Sequence, residues 1–180
     1  MQAQVEAARR SETGVLHGRK IIDEIKASGV EFIPCLPDIH TSEGLLRPLW
    51  REPGLKMIRV CKEDEGVGIC AGLSYCGKRA LLLMQHTGLL DSINAIRAVG
   101  VEYELPICMM VGLLNKEPGV PPSQSKHYGV RVASPILDAM GVAHHVVETD
   151  ADVGVIRQAI EGAYAQGHPV VLFIGGQALP

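Results

Sequence analysis

Three uninterrupted aliphatic runs constrain this chain more than any other feature: RALLLMQ (79–85), LPICMMVGLL (105–114) and HPVVLFIGG (168–176). None alternates polar with apolar residues, so each reads as a strand covered on both faces. Each is too short to cross a bilayer, which takes about 20 predominantly apolar residues. Aromatic residues make up only 4% of the 180 residues, so Val, Ile, Leu and Ala must fill the core. That palette suits a parallel sheet shielded by helices.

Helical patterns fill the intervals. HGRKIIDEIKASG (17–29) sets Ile21, Ile22 and Ile25 on one face and ends at Gly29. VEFIPCLP (30–37) and LKMIRVC (55–61) read as short strands, with SEGLLRPLW (42–50) a helix limited by Pro48 between them. After Thr87 and Gly88 a helix is expected through Leu89, Ile93 and Ile96, at helical spacing. In SPILDAMG (134–141), Ser134 is expected as N-cap, Pro135 in the first turn and Gly141 just past the end. HHVVE (144–148) reads as a strand, and TDADVGVIRQAIEGAYAQG (149–167) as a helix carrying Val153, Ile156 and Ile160 on one stripe.

Strands and helices thus alternate almost throughout. The expectation is one α/β domain over residues 15–180, a doubly wound, mainly parallel sheet with helices on both faces. A flexible polar lead-in is expected over residues 1–14. Ligands of such sheets sit beyond the carboxyl ends of the strands. One connection, NKEPGVPPSQSKHYG (115–129), carries three prolines and is long for a compact domain unless functional.

Composition excludes several classes. A net charge of -3 gives no electrostatic case for nucleic acid or an anionic membrane. The five cysteines, Cys35, Cys61, Cys70, Cys76 and Cys108, form no CxxC pair and read as free buried thiols of a cytoplasmic protein, with no metal site. The N-terminal residues show no apolar signal core. There is no GxxxxGK[ST] phosphate loop and no GxSxG. The glycines of EGVGICAG (65–72) match a dinucleotide fingerprint poorly, because the acids before them would repel a pyrophosphate.

That same stretch, KEDEGVGICAGLSYCG (62–77), spends Gly66, Gly68 and Gly72 inside a helix-length segment, each costing about 1 kcal/mol relative to alanine. Glu65, Gly68, Gly72 and Cys76 fall along one helical face, so a carboxylate heads a stripe of small residues. Either the helix lies tight on its own sheet, with the acids favouring its N-terminal dipole, or another backbone approaches that stripe.

With its continuation RALLLMQHTGLLDSIN (79–94), the stretch resembles the pyrimidine-binding (Pyr) domain of thiamine diphosphate enzymes, and within them the sulfopyruvate and phosphonopyruvate decarboxylases. The shared pattern is an acid, a small-residue helix, a strand ending Gln-x-Ser/Thr-Gly-Leu, and an Ile-Asn on the next helix. CLPDIHTSEGLL (35–46) resembles the segment after the first strand, and the loop ending SQSKHYG a later, substrate-side loop. The resemblance implies a Pyr-type thiamine diphosphate-binding fold and a carboxyl group that polarises the cofactor's pyrimidine.

It assigns that role to Glu65, leaving Glu63 and Asp64 to cap the helix. Gln85, Thr87, Gly88 and Asn94 join Glu65 on the cofactor side. Asp38, His40, His86, Lys126 and His127 fall on the substrate side, with Lys126 and His127 suited to an anionic tail. His86 stands where relatives often carry Asn, and Leu90-Asp91 replace a common Gly-Asn pair. The Gly-Asp-Gly run and downstream Asn that hold Mg2+ and diphosphate are missing from this sequence. The resemblance therefore implies an alpha subunit that shares thiamine diphosphate with a beta subunit, the partner holding Mg2+. Self-association and a small anionic oxo-acid substrate are further expectations. A non-catalytic binding module of the same fold is the alternative from a different class.

Overall fold

The computed structural model describes residues 14–180, so the expected lead-in lies, but for Gly14, outside the described residues. The described residues open with a two-residue strand, β1 (Leu16–His17), and helix α1 (Gly18–Ala27). Strand β2 (Phe32–Cys35) follows, then a wide turn at Ser42–Leu46 continued by Arg47–Leu49, and β3 (Lys56–Arg59). Helix α2 (Glu63–Tyr75) leads to β4 (Leu81–Gln85) and α3 (His86–Asp91). Beyond β5 (Cys108–Gly112) come α4 (Tyr128–Ala139), β6 (Ala143–Val147), α5 (Gly154–Gln166), β7 (Val170–Ile174) and β8 (Ala178–Leu179).

Six strands form one parallel sheet in the order β3-β2-β4-β5-β7-β6. Alternate residues of the buried strands feed two cores. Leu81, Leu83, Cys108 and Met110 face α1 and α5, packing with Ile21, Ile25, Ile156 and Ile160. Leu82, Met84, Met109 and Val111 face the opposite layer, with Val67 and Cys70 of α2 and Val130 and Leu137 of α4. This is the doubly wound α/β architecture. Fully burying one such Leu or Met is worth about 1.5–3 kcal/mol, so continuous apolar strands make the middle of the sheet its most stable part.

The chain leaves β2 for the outer neighbour β3, then returns to the other side of β2 with β4. The crossover direction reverses there, and the crevice beyond the carboxyl ends of β2 and β4 is the switch point where ligands of such sheets bind.

Several local expectations are corrected. Helix α4 starts six residues before Ser134, which is buried mid-helix, and Pro135 stands inside it. The buried stripe of Val130, Ala133 and Leu137 outweighs the hydrogen bond that Pro135 cannot donate. Gly141 does close the segment with φ +68°. The helix expected through Leu89, Ile93 and Ile96 is broken at Ser92, and residues Ile96–Glu102 continue as a wide turn. Strands β1 and β8 pair in a separate two-stranded sheet that short length hid from any periodicity. The thiols also divide. Cys35, Cys70 and Cys108 are buried, with Cys70 pushed up to about 12 by burial, whereas Cys61 and Cys76 are exposed.

Candidate active site

The glycines of α2 serve two different faces. A methyl group on Gly66 would collide with the Leu82 side chain, so this glycine lets the helix lie close on β4. Gly68 and Gly72 are exposed, with nothing within 4 Å of where their Cβ atoms would stand. The stripe of small residues therefore faces away from the chain's own sheet.

The acids separate in the same way. The exposed Glu65 turns its Oε2 back to accept the backbone N–H groups of Cys61 (2.9 Å) and Lys62 (3.3 Å). It caps its own helix, using amides that the first turn leaves unpaired. Asp64 pairs with Lys62 at 3.0 Å, and Lys62 also reaches Asp91 at 3.3 Å. Glu63 is half-buried and lies against Gly88, where any Cβ would collide with its Cγ, Cδ and Oε1. Among the three acids, Glu65 is the one bound to the amides at its own helix start, and Glu63 is the one that reaches the strand end. Residues two apart stand about 200° around a helix, so only one of them can face β4.

The turn after β4 holds Gln85, Thr87 and Gly88 together. Gln85 Nε2 donates to Thr87 Oγ1 at 3.0 Å, and Gly88 is buried beneath Glu63. Asn94 is not part of this turn. It is exposed, and its Oδ1 accepts Arg97 Nε (3.3 Å) and Nη2 (3.0 Å).

Across the switch point, Asp38 is 1% exposed, the deepest carboxylate of the site. Its Oδ1 accepts the His40 N–H (3.1 Å), and its Oδ2 accepts the Thr41 N–H (3.2 Å) and hydroxyl (2.9 Å). Gly112, at the end of β5, leaves room for it: a Cβ there would collide with Asp38 Oδ2. His86 starts α3, 7% exposed, and its Nδ1 is buried without a hydrogen-bond partner. His40 is half-buried, with Nε2 likewise unpartnered. Burial holds both imidazoles below the ordinary histidine value, partly offset by the Asp38 charge and by nearby backbone carbonyls. The site therefore presents two neutral imidazoles beside an anchored carboxylate near pH 7.

Lys126 and His127 stand exposed at the end of the proline-rich connection, and the structure gives their side chains no hydrogen bond among the described residues. Sequence reasoning missed Lys116, whose side chain is 1% exposed. Its Nζ pairs with Glu148 and donates to the Glu117 carbonyl at 3.0 Å. Its place two residues after the apolar run that contains β5 was the available signal. Among the described residues no group of three or more His, Cys, Asp or Glu side chains could hold a metal ion, and no helix is long and apolar enough to cross a membrane.

No family model matches the chain. It is 36% identical over 84 residues to sulfopyruvate decarboxylase subunit alpha of Methanococcus maripaludis, a match covering 47% of this chain and 50% of the relative. The subunit alpha of Methanocaldococcus jannaschii is 31% identical over 91 residues, 51% of this chain and 53% of that one. Sulfopyruvate decarboxylase of Methanosarcina acetivorans is 26% identical over 160 residues, 86% of this chain but 39% of the relative. The matches to the alpha subunits thus span about half the length of those relatives. Among solved structures, a 2-oxoglutarate:ferredoxin oxidoreductase from Magnetococcus marinus superposes with a TM-score of 0.63 at 18% identity, over 90% of this chain and 29% of the other. In sequence, then, the chain is similar to sulfopyruvate decarboxylase alpha subunits, and in fold to one part of a 2-oxo acid oxidoreductase.

Proposed function

We propose that this chain is the alpha half of a two-subunit, thiamine diphosphate-dependent 2-oxo acid decarboxylase, with sulfopyruvate as substrate. One observation carries the reading in a chain so related: the switch-point crevice sets the Glu63 carboxylate on the Gln85–Gly88 turn. A cofactor with a ring nitrogen to be polarised needs a sheltered carboxyl group whose hydrogen bonds are uncommitted, beside backbone bare of side chain. Glu63 over Gly88 fits this requirement. Glu65 is engaged with two backbone amides and fits it less well.

Thiamine diphosphate, when bound, supplies a nucleophilic carbon for the keto group and a sink for the electron pair left by carbon dioxide. Glu63 would hold the cofactor's ring through a hydrogen bond, and Gln85, Thr87 and Gly88 would complete this chain's cofactor side. Asn94, exposed and held by Arg97, is left out of that set. His86 and His40, neutral at pH 7, can give or take a proton where the substrate loses its carboxylate. Asp38 orients the segment carrying His40 through the His40 and Thr41 amides. Lys126 and His127 are free to meet an anionic tail. Mg2+ and the diphosphate fall to a beta subunit, whose surface would complete the site against the exposed Gly68 and Gly72 face.

Reconstitution tests the reading. The chain is purified with a partner bearing a Gly-Asp-Gly diphosphate domain, and carbon dioxide release is followed with sulfopyruvate, phosphonopyruvate and pyruvate. Turnover should require both chains, thiamine diphosphate and Mg2+, and should be fastest on sulfopyruvate. A pair inactive on every oxo acid, or tight cofactor binding by this chain alone, would contradict it.

A further inference from the structure

The connection between β5 and α4 is closed on itself through Glu117. Glu117 Oε2 accepts the Ser125 hydroxyl at 2.7 Å, and Oε1 accepts the Lys126 N–H at 3.0 Å. Ser125 Oγ in turn accepts the His127 N–H at 3.1 Å, and Arg131 Nη1 donates to the Ser125 carbonyl at 2.9 Å. One carboxylate thus ties the far end of the loop to its start and fixes where α4 begins. The two donors hold the Glu117 carboxyl down at about 2, well below the usual carboxylate range.

The start of α4 forms the roof of His86. A Cβ at Gly129 would stand 3.1 Å from both Cδ2 and Nε2 of the imidazole and 3.8 Å from Leu90 Cδ1. Backbone without a side chain therefore lies directly on the ring, and little solvent reaches it. The other groups facing His86 are Asp38, His40 and the Gly112 carbonyl at the strand ends, and His127 from the loop.

We infer that Glu117 is a positioning residue for the site: by clamping the Ser125–Lys126 turn it seats Gly129 over His86 and keeps that imidazole out of water. The side chain acts through the loop and touches no reacting atom. Only the assignment of His86 to the substrate rests on the decarboxylase reading. The clamp itself can be measured without cofactor, substrate or partner.

The test is a proton NMR titration of the seven histidines in the full chain, with His86→Asn used to assign the His86 resonance. In Glu117→Ala the roof is released, water reaches the ring, and the His86 midpoint should rise toward the ordinary value by about 0.5 pH unit or more. Glu117→Gln, which keeps one acceptor, should shift it less, and Ser123→Ala, an exposed position in the same loop, should leave it unchanged. If Glu117→Ala does not fold, Ser125→Ala is read instead, and a smaller upward shift is expected because one of the two contacts survives. A purely structural role would lower stability with the His86 midpoint unmoved. That result in a folded Glu117→Ala or Ser125→Ala chain overturns the inference.

Discussion

The carboxylate arm of Glu63 occupies the space that a side chain on Gly88 would need, so helix α2 and the turn after β4 meet through a residue pair in which one partner must be glycine. This contact joins the acid-bearing helix to the strand end at the sheet's switch point. Most of the chemistry proposed for the chain depends on it.

Gly88→Ala should therefore disturb the site more than the fold. The new methyl group must displace a half-buried carboxylate, which can swing toward solvent. Turnover of the reconstituted enzyme should fall about 10²-fold or more, since small misplacements of positioned groups cost that much. The apparent melting temperature of the chain should change little. Both quantities are read on one preparation.

Two glycines of α2 should respond with opposite sign. Gly68→Ala adds a methyl group in open space and should stabilise the isolated chain by about 0.5–1 kcal/mol through helix propensity. Gly66→Ala pushes into Leu82, which is fully buried, and should cost about 1–3 kcal/mol through overpacking. Urea unfolding of the two variants checks both signs.

The outward face of the same helix gives a prediction about assembly. Gly72→Trp should leave the chain folded, because nothing packs within 4 Å of that position. If the beta subunit lies on this face, the variant should fail to co-purify with it. Size-exclusion chromatography of the mixed chains reads the outcome, and full co-purification would place the partner elsewhere.

Stability should depend on pH through the buried imidazoles. His40, His86 and His145 all have folded values below the ordinary 6.5, chiefly from burial. As pH falls below 6.5 the unfolded chain takes up protons before the folded one does, so unfolding is favoured. Their contribution is fully present above that value and is lost as pH drops toward the depressed folded values. Urea midpoints should be level between pH 8 and pH 7 and decline between pH 6 and pH 5, by about the ordinary linkage slope per affected imidazole. His86→Asn should reduce the slope of that decline.

The sheet was legible because its strands are extreme: uninterrupted aliphatic runs admit one burial pattern, and helical stripes such as Ile21, Ile22 and Ile25 admit one facing. Gln85, Thr87 and Gly88 came from the resemblance, and their place at the carboxyl end of β4 agrees with where ligands of such sheets sit. The choice among Glu63, Asp64 and Glu65 was not legible, because three consecutive acids satisfy the same first-turn preference. Only the register of α2 on β4, fixed by Gly66 against Leu82, selects which one points inward. The early start of α4 was hidden by Ser134-Pro135, a local capping signal overridden by tertiary burial of Val130 and Ala133. Lys116 and Glu117 stayed unseen because their partners, Glu148 and Ser125, come together only through the folded loop ends.

The most direct measurement compares Glu63→Gln with Glu65→Gln in the reconstituted complex, each assayed for carbon dioxide release at saturating cofactor. Glu63→Gln should lose turnover by about 10²–10⁴-fold, the range of a positioned acid–base group. Glu65→Gln should keep most of its turnover while losing about 0.5–1 kcal/mol of helix-cap stability. The reverse outcome, with Glu63→Gln active and Glu65→Gln dead, would contradict the account.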